Sequence, residues 1–247
     1  MTIAGFLYPG YSAEDDYPVF ARLLGPGTEL RVVHTLMRED AHRVDALLDV
    51  GGDDVLGEGA RELRDLGVDA AVWACTSGSF VFGWEGAAEQ AEAVGREAGC
   101  PASSTSFAFV NAVRALGLRR VAVAATYPDD VAGRFAEFLG RAGIAVEAWA
   151  GRGIVTAAEV GTLPPEDVLE FAAAGDHPDA EAVLVPDTAL HTAGVLDALE
   201  ERLGKTVLTA NQVSVWEGLR LAGDTAPREG LGTLFRTGAA ETAAQRT

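Results

Sequence analysis

The sequence predicts an α/β protein made of two similar lobes, each a parallel sheet flanked by helices. Short apolar runs alternate with amphipathic, helix-like stretches along the whole chain. Many of the helical stretches end in glycine, the residue that best tolerates a left-handed helix cap. Three segments of the first half also have counterparts, in the same order, in the second half. We therefore expect a duplicated fold whose lobes are related by a pseudo-two-fold axis, with the active site in the cleft between them.

The first half contains the strand-like runs IAGFLY, ELRVVHTL and VDAAVWA, and a further one that begins at Cys100. Helical stretches ending in FARLLG, ARELRDLG and GREAG separate these runs. Short apolar strands that alternate with helices are typical of parallel sheets covered on both faces. We therefore assign residues 1–117 to a first lobe.

The second half repeats this alternation. RRVAVAATY precedes the helical stretch AGRFAEFLGRAG, AVEAWAG follows it, and DAEAVLVP precedes GVLDALEERLG. We assign residues 118–247 to a second lobe, and we expect its C-terminal segment to pack back on the first lobe.

The two halves share their strand ends as well as their pattern. The dipeptide YP at Tyr8 is followed by FARLLG, the YP at Tyr127 is followed by FAEFLG, and GCPASSTSF matches GKTVLTANQ. VDAAVWACT aligns with AEAVLVPDT, which sets Cys75 opposite Asp187. Ligands of parallel α/β sheets bind outside the carboxyl ends of the strands. We therefore expect both side chains to point into the cleft between the lobes.

The charge of the chain restricts its partners. It carries 37 acidic and 19 basic residues among 247, a formal net charge of −18 at pH 7. Such a surface repels phosphate backbones and anionic lipids, which argues against nucleic acid and membrane partners. The four histidines lack metal-ligand spacing and the two cysteines argue against a disulfide framework. We expect a small-molecule partner and no metal, and the oligomeric state, homo-oligomers included, stays open.

Targeting signals are not evident. No apolar stretch approaches the roughly 20 residues that a membrane span needs. The N-terminal run MTIAGFLYPG has no basic segment before it, which a secretory signal peptide would have. We therefore expect a cytoplasmic protein.

Three segments carry a family resemblance: CTSGSF at 75–80, ALGLRRVAVAATYPDDV at 115–131 and LGKTVLTANQVSVWEGLRLAG at 203–223. Together they resemble the aspartate/glutamate racemase superfamily, in the branch that contains maleate cis-trans isomerases and arylmalonate decarboxylases. The resemblance covers nearly the whole chain. It implies two similar α/β lobes, an active site between them, a small carboxylate substrate, and no cofactor or metal.

The sequence departs from the family pattern at two places. Isomerases and racemases of the superfamily usually carry a cysteine from each lobe, and arylmalonate decarboxylases keep only the second-lobe cysteine. This chain instead has Cys75 in the first lobe and Asp187 at the second position. Isomerases also tend to have an asparagine near the proline of the N-terminal loop, where Ser12 is the nearest polar residue here.

Cys75 is the leading candidate for chemistry. A thiol reacts as thiolate, and free cysteine with a pKa near ~8.5 is only slightly ionised at neutral pH. Backbone N–H groups of Thr76, Ser77 and Gly78, which lead toward a helix, are positioned to stabilise the anion. Cys100 is expected to be structural.

Hydroxyl groups near the strand ends form the expected substrate-binding set. Carbanion chemistry beside a carboxylate builds charge on the carboxylate oxygens, and preorganised donors stabilise such charge where it develops. We expect Pro9 and Ser12 to line the first-lobe loop. The expected donors are Thr76, Ser77, Tyr127 and Thr188.

Asp187 has two open interpretations beyond that of a capping residue. An ionised carboxylate about 6 Å from a substrate carboxylate costs about 3 kcal/mol at an effective dielectric of ~20. Asp187 is therefore either protonated in the site, where it could act as a general acid, or ionised and facing a cation.

The sequence favours a cofactor-independent isomerase of a small unsaturated dicarboxylate or its half-amide. In that reaction the Cys75 thiolate adds to the alkene, the hydroxyl set holds the enediolate, and the thiolate leaves after rotation. The alternatives are a malonate decarboxylase with Cys75 as proton donor, an amino-acid racemase that uses Cys75 and Asp187, and a dicarboxylate-binding protein without catalysis.

Overall fold

The computed structural model describes residues 1–237, which form two four-stranded sheets. The first sheet has the order β2-β1-β3-β4 and consists of β1 (Thr2–Pro9), β2 (Thr28–Thr35), β3 (Ala70–Trp73) and β4 (Ala102–Ser104). The second has the order β6-β5-β7-β8 and consists of β5 (Arg120–Ala125), β6 (Ala145–Gly151), β7 (Ala182–Val185) and β8 (Thr206–Thr209). All paired strands are parallel, and both sheets have the same strand order. The predicted fold class is confirmed. The last ten residues of the predicted second lobe, 238–247, lie outside the described residues.

Helices separate the strands in both halves. Those of residues 1–117 are α1 (Asp16–Leu24), α2 (Val44–Val50), α3 (Asp53–Asp65), α4 (Ser77–Phe80), α5 (Gly83–Ala98) and α6 (Thr105–Ala115). Those that follow are α7 (Asp129–Arg141), α8 (Ala157–Val160), α9 (Pro165–Ala174), α10 (Leu196–Leu203), α11 (Ala210–Leu221) and α12 (Gly232–Arg236). No helix within residues 1–237 is both long and apolar enough to cross a membrane.

The two sheets repeat each other in local detail. Strands β3 and β7 each contain four residues, all buried, and Cys75 and Asp187 each lie two residues beyond the strand end. Helices α5 and α10, which lead into β4 and β8, end at Gly99 and Gly204, whose φ values are 72° and 65°. A left-handed φ of this kind favours glycine. One expectation needs a small correction, because β4 begins at Ala102 rather than at Cys100.

Helices α6 and α11 join the two halves. Thr105 Oγ1 lies 2.6 Å from Ser214 Oγ, and Asn111 Nδ2 donates to Glu217 Oε1 at 2.8 Å. Helix α11 also packs closely on β1, because a Cβ added at Gly218 would lie 3.2 Å from Phe6. One hydrophobic core therefore includes residues of both sheets, which fixes the strand ends of β3 and β7 relative to each other.

Candidate active site

Cys75 lies in the turn between β3 and α4. Cys75 is 5% exposed, and its Sγ accepts a hydrogen bond from the Gly78 N–H at 3.3 Å. The pKa of the Cys75 thiol is raised to about 11, chiefly by burial and also by the charge of Asp187, although the contacts with Gly78 and Ser77 act in the opposite direction. The sequence predicts that backbone N–H groups stabilise a thiolate here. The loss of water around the sulfur has the larger effect and favours the neutral thiol. The resting group is a neutral thiol.

Asp187 lies in the equivalent turn after β7 and is 3% exposed. Its Oδ1 accepts the N–H of Ala189 at 2.9 Å, and its Oδ2 accepts the hydroxyl of Thr126. Both oxygens are therefore held by donors, and the side chain has a fixed direction.

Cys75 and Asp187 line one narrow cavity of about 30 Å³. Four of the predicted site residues line the same cavity: Pro9, Ser12, Ser77 and Thr188. The other polar and titratable side chains on its wall are Tyr8, Glu39, Asp40 and His42. The cavity is therefore formed by residues from both halves of the chain, and its wall is rich in oxygen atoms.

Two predicted donors lie behind the cavity wall. Thr76 is fully buried, and its hydroxyl has no hydrogen-bond partner among the described residues. Tyr127 is also buried, and its hydroxyl donates to the Pro186 carbonyl at 2.7 Å. Burial raises the pKa of Tyr127, and the charges of Asp187 and Cys75 add to this effect. Neither residue therefore lines the cavity, and the Tyr127 hydroxyl already donates its proton to a backbone carbonyl.

Tyr8 is a site residue that the sequence analysis passed over. Its hydroxyl donates to the Thr188 carbonyl at 2.9 Å, lies 2.9 Å from Ser12 Oγ, and accepts the Ala13 N–H at 3.0 Å. Burial raises its pKa. Tyr8 and Tyr127 therefore hold the carbonyls on either side of Asp187, and the repeated YP dipeptide was the signal that could have identified Tyr8.

His42 is the second residue that sequence reasoning missed. It belongs to the segment 36–43, between β2 and α2, which crosses to the loop that precedes α8. Its Nε2 lies 4.0 Å from Asp187 Oδ2, and its Nδ1 lies 2.9 Å from the Ile154 carbonyl. By contrast, His191, which follows Asp187 by four residues, pairs with Asp15 at 2.7 Å and does not line the cavity.

A larger depression of about 370 Å³ is lined by residues that include Arg152 and Phe171. It contains neither Cys75 nor Asp187. This depression has no thiol or hydroxyl nucleophile among its lining residues, so we assign the chemistry to the smaller cavity that contains Cys75.

The fold and the site define a two-lobed α/β enzyme class with a buried thiol between the lobes. Residues 44–235 match the arylmalonate decarboxylase family, and the chain belongs to that family. The family resemblance drawn from the sequence is therefore confirmed, and the chain belongs to a group of decarboxylases and isomerases.

Individual relatives agree with this assignment. The chain is 34% identical to arylmalonate decarboxylase of Bordetella bronchiseptica over 182 residues, which are 71% of this chain and 75% of that protein. A liganded arylmalonate decarboxylase variant, with one introduced cysteine and one cysteine replaced by serine, is 27% identical with a TM-score of 0.83, over 96% of this chain and 99% of that one. Maleate isomerase Iso of Pseudomonas putida S16 shares the fold, with 22% identity and a TM-score of 0.86 over 95% and 98% of the two chains.

Proposed function

We propose that this protein is a cofactor-independent decarboxylase of a substituted malonate, with Cys75 as the proton donor. The supporting observation is the buried Cys75 thiol, whose pKa is raised to about 11. A thiol of this kind keeps its proton at neutral pH and presents it to the cavity. The family match and the decarboxylase relative point to the same reaction.

The reaction has two steps in this proposal. Cleavage of the bond between the α-carbon and one carboxylate releases carbon dioxide and leaves the electron pair on the substrate, where the remaining carboxylate takes it up as an enediolate. The Cys75 S–H then gives its proton to the α-carbon, and the thiolate regains a proton from water. No electron acceptor or metal is needed for this balance.

In this proposal Ser77 is the hydroxyl donor for the enediolate, because Ser77 lines the same cavity as Cys75. Donors that are already fixed in a water-poor site stabilise charge as it forms, and the loss of one such donor costs about 3 kcal/mol.

Cis-trans isomerisation of a small unsaturated dicarboxylate, which the sequence favoured, is the second candidate. The Gly78 N–H, 3.3 Å from Sγ, supports it because this donor would stabilise a thiolate nucleophile. However, a thiol with a pKa of about 11 is ionised in only about one molecule in ten thousand at pH 7. We therefore place decarboxylation first.

A substrate panel in deuterated water separates the two reactions. Phenylmalonate should yield phenylacetate with deuterium at the α-carbon, while maleate should remain unchanged; ¹H NMR measures both. Cys75→Ser should abolish the turnover of phenylmalonate, and Cys100→Ser, on the partly exposed cysteine outside the cavity, is the matched control. Conversion of maleate to fumarate without loss of carbon dioxide from phenylmalonate would overturn the proposal in favour of isomerisation.

A further inference from the structure

Asp187 poses an electrostatic problem for any dicarboxylate substrate. Its side chain is only 4% exposed, and Glu39 and Asp40 add acidic groups to the same cavity wall. A buried carboxylate without a cation is strongly unfavourable, and a second carboxylate close to it increases the cost. Substrate binding therefore requires something that neutralises Asp187.

His42 is the group available for this purpose. No lysine or arginine of residues 1–237 lines the cavity, and His42 is the basic side chain there. Its imidazole is 6% exposed, and its Nε2 lies 4.0 Å from Asp187 Oδ2. The two side chains are therefore close, buried together and shielded from the screening of water.

The hydrogen bond on the other ring nitrogen fixes the protonation pattern of His42. The Ile154 carbonyl can only accept, so Nδ1, at 2.9 Å from it, carries a proton. Without another proton, the lone pair of Nε2 would face the lone pairs of Asp187 Oδ2. With one proton between the two side chains, on either His42 or Asp187, this repulsion is removed.

We propose that the pair of His42 and Asp187 carries one proton, held on one side chain or the other, and that this proton neutralises the cavity wall around Asp187 when a dianionic substrate binds. His42 is thus a positioning and charge-setting residue that acts through Asp187. The inference rests on the proposed function only in taking the substrate to be a dicarboxylate. In this proposal the proton opposite Cys75 is carried by two side chains, His42 from the first half of the chain and Asp187 from the second.

The surroundings keep the imidazole in place. The His42 N–H donates to the Val155 carbonyl at 2.8 Å, and the Asp40 carboxylate accepts the N–H groups of Ala157 and Ala158 at 2.7 and 2.9 Å. The ring also packs edge-on against Tyr127, with 5.0 Å between centroids. The backbone contacts fix the segment, and a rotation of the imidazole away from Asp187 would break its contacts with Tyr127 and the Ile154 carbonyl.

The other titratable groups facing the pair do not compete for the proton near neutral pH. Burial raises the pKa values of Cys75, Tyr8 and Tyr127, so these three groups remain neutral. Asp40 is engaged by the start of α8, and Glu39 pairs with Arg43. The shared proton thus belongs to His42 and Asp187.

Calorimetric binding of malonate and of uncharged malonamide tests the proposal without relying on turnover. His42→Asn keeps an N–H donor toward Ile154 but removes Nε2, so malonate affinity should fall about 100-fold while malonamide affinity is unchanged. In the Asp187→Asn background, the same His42 change should alter malonate affinity less than about twofold. Equal losses for both ligands, or in both backgrounds, would show that His42 only holds the segment in place and would overturn the proposal.

A second measurement uses the unmodified protein. Malonate affinity should fall as the pH is raised and the proton of the pair is lost, and Asp187→Asn should remove this dependence. A pH-independent affinity, or no malonate binding at all, would refute the shared proton. The decarboxylase proposal is separate, because it depends on phenylmalonate turnover and on Cys75→Ser.

Discussion

The turn after β3 and the turn after β7 have the same backbone origin but different chemistry. In the first, the Cys75 sulfur contacts a backbone N–H, and α4 begins two residues later, at Ser77. In the second, the Thr126 hydroxyl and the Ala189 N–H fix Asp187, and α10 does not begin until Leu196. The repeated scaffold therefore carries a buried thiol on one wall of the cavity and a carboxylate on the other. The comparison teaches that pseudo-symmetry of the backbone does not imply symmetric side-chain chemistry.

The largest expected effect comes from removing the donor of the first wall. Cys75→Ser should lower kcat on phenylmalonate about 1000-fold or more, because a hydroxyl is a much weaker acid than a thiol. Steady-state kinetics with circular dichroism as a folding check measures this change. If Cys75→Ser turned over phenylmalonate at nearly the rate of the unmodified protein, Cys75 would not be the proton donor.

The raised pKa of Cys75 also predicts a stability difference. Burial raises this pKa from 9.0 to about 11, so the neutral thiol contributes stability that is fully present below pH 9 and is lost as the pH rises through about 11. The unmodified protein should lose about 3 kcal/mol relative to Cys75→Ser across this range. Urea unfolding of both proteins at several pH values measures the difference, and a constant difference would contradict the desolvation of the thiol.

Thr126→Val removes the hydroxyl that fixes Asp187 on the second wall. The buried carboxylate then loses a hydrogen bond, which should lower the free energy of unfolding by about 2 kcal/mol. Thr162→Val, at an exposed position, is the matched control and should change it by less than about 0.5 kcal/mol. Equal effects of the two substitutions would mean that Asp187 does not depend on Thr126.

Asp187→Cys makes the two walls alike. With 2-methyl-2-phenylmalonate, the unmodified protein should protonate the enediolate from the Cys75 side and give one enantiomer in large excess. A second thiol should admit protonation from the other face and reduce this excess, to a ratio of about 10:1 or less, which corresponds to about 1.4 kcal/mol between the two faces. Chiral chromatography of the product measures the ratio, and an unchanged excess would indicate that position 187 does not reach the α-carbon.

The strand ends were predictable because they follow from a local pattern. Four buried residues precede both Cys75 and Asp187, and the alignment of WACT with VPDT depends only on neighbouring residues. His42 was not predictable in this way. It reaches Asp187 because the segment 36–43 bonds to the backbone of residues 154–158, and backbone partners leave no mark on the sequence. The protonation of Cys75 was likewise beyond the sequence, because it depends on how completely the assembled lobes exclude water from the sulfur.

The packing of α11 on β1 affects the order in which the chain becomes stable during synthesis. The strands of the first sheet are complete once Ser104 has been made, but Gly218, which packs on Phe6, is made more than a hundred residues later. Until then the nascent first lobe presents an apolar face to the ribosome exit and to chaperones. A released fragment that ends before α11 should therefore be protease-sensitive, and the full-length protein should be resistant.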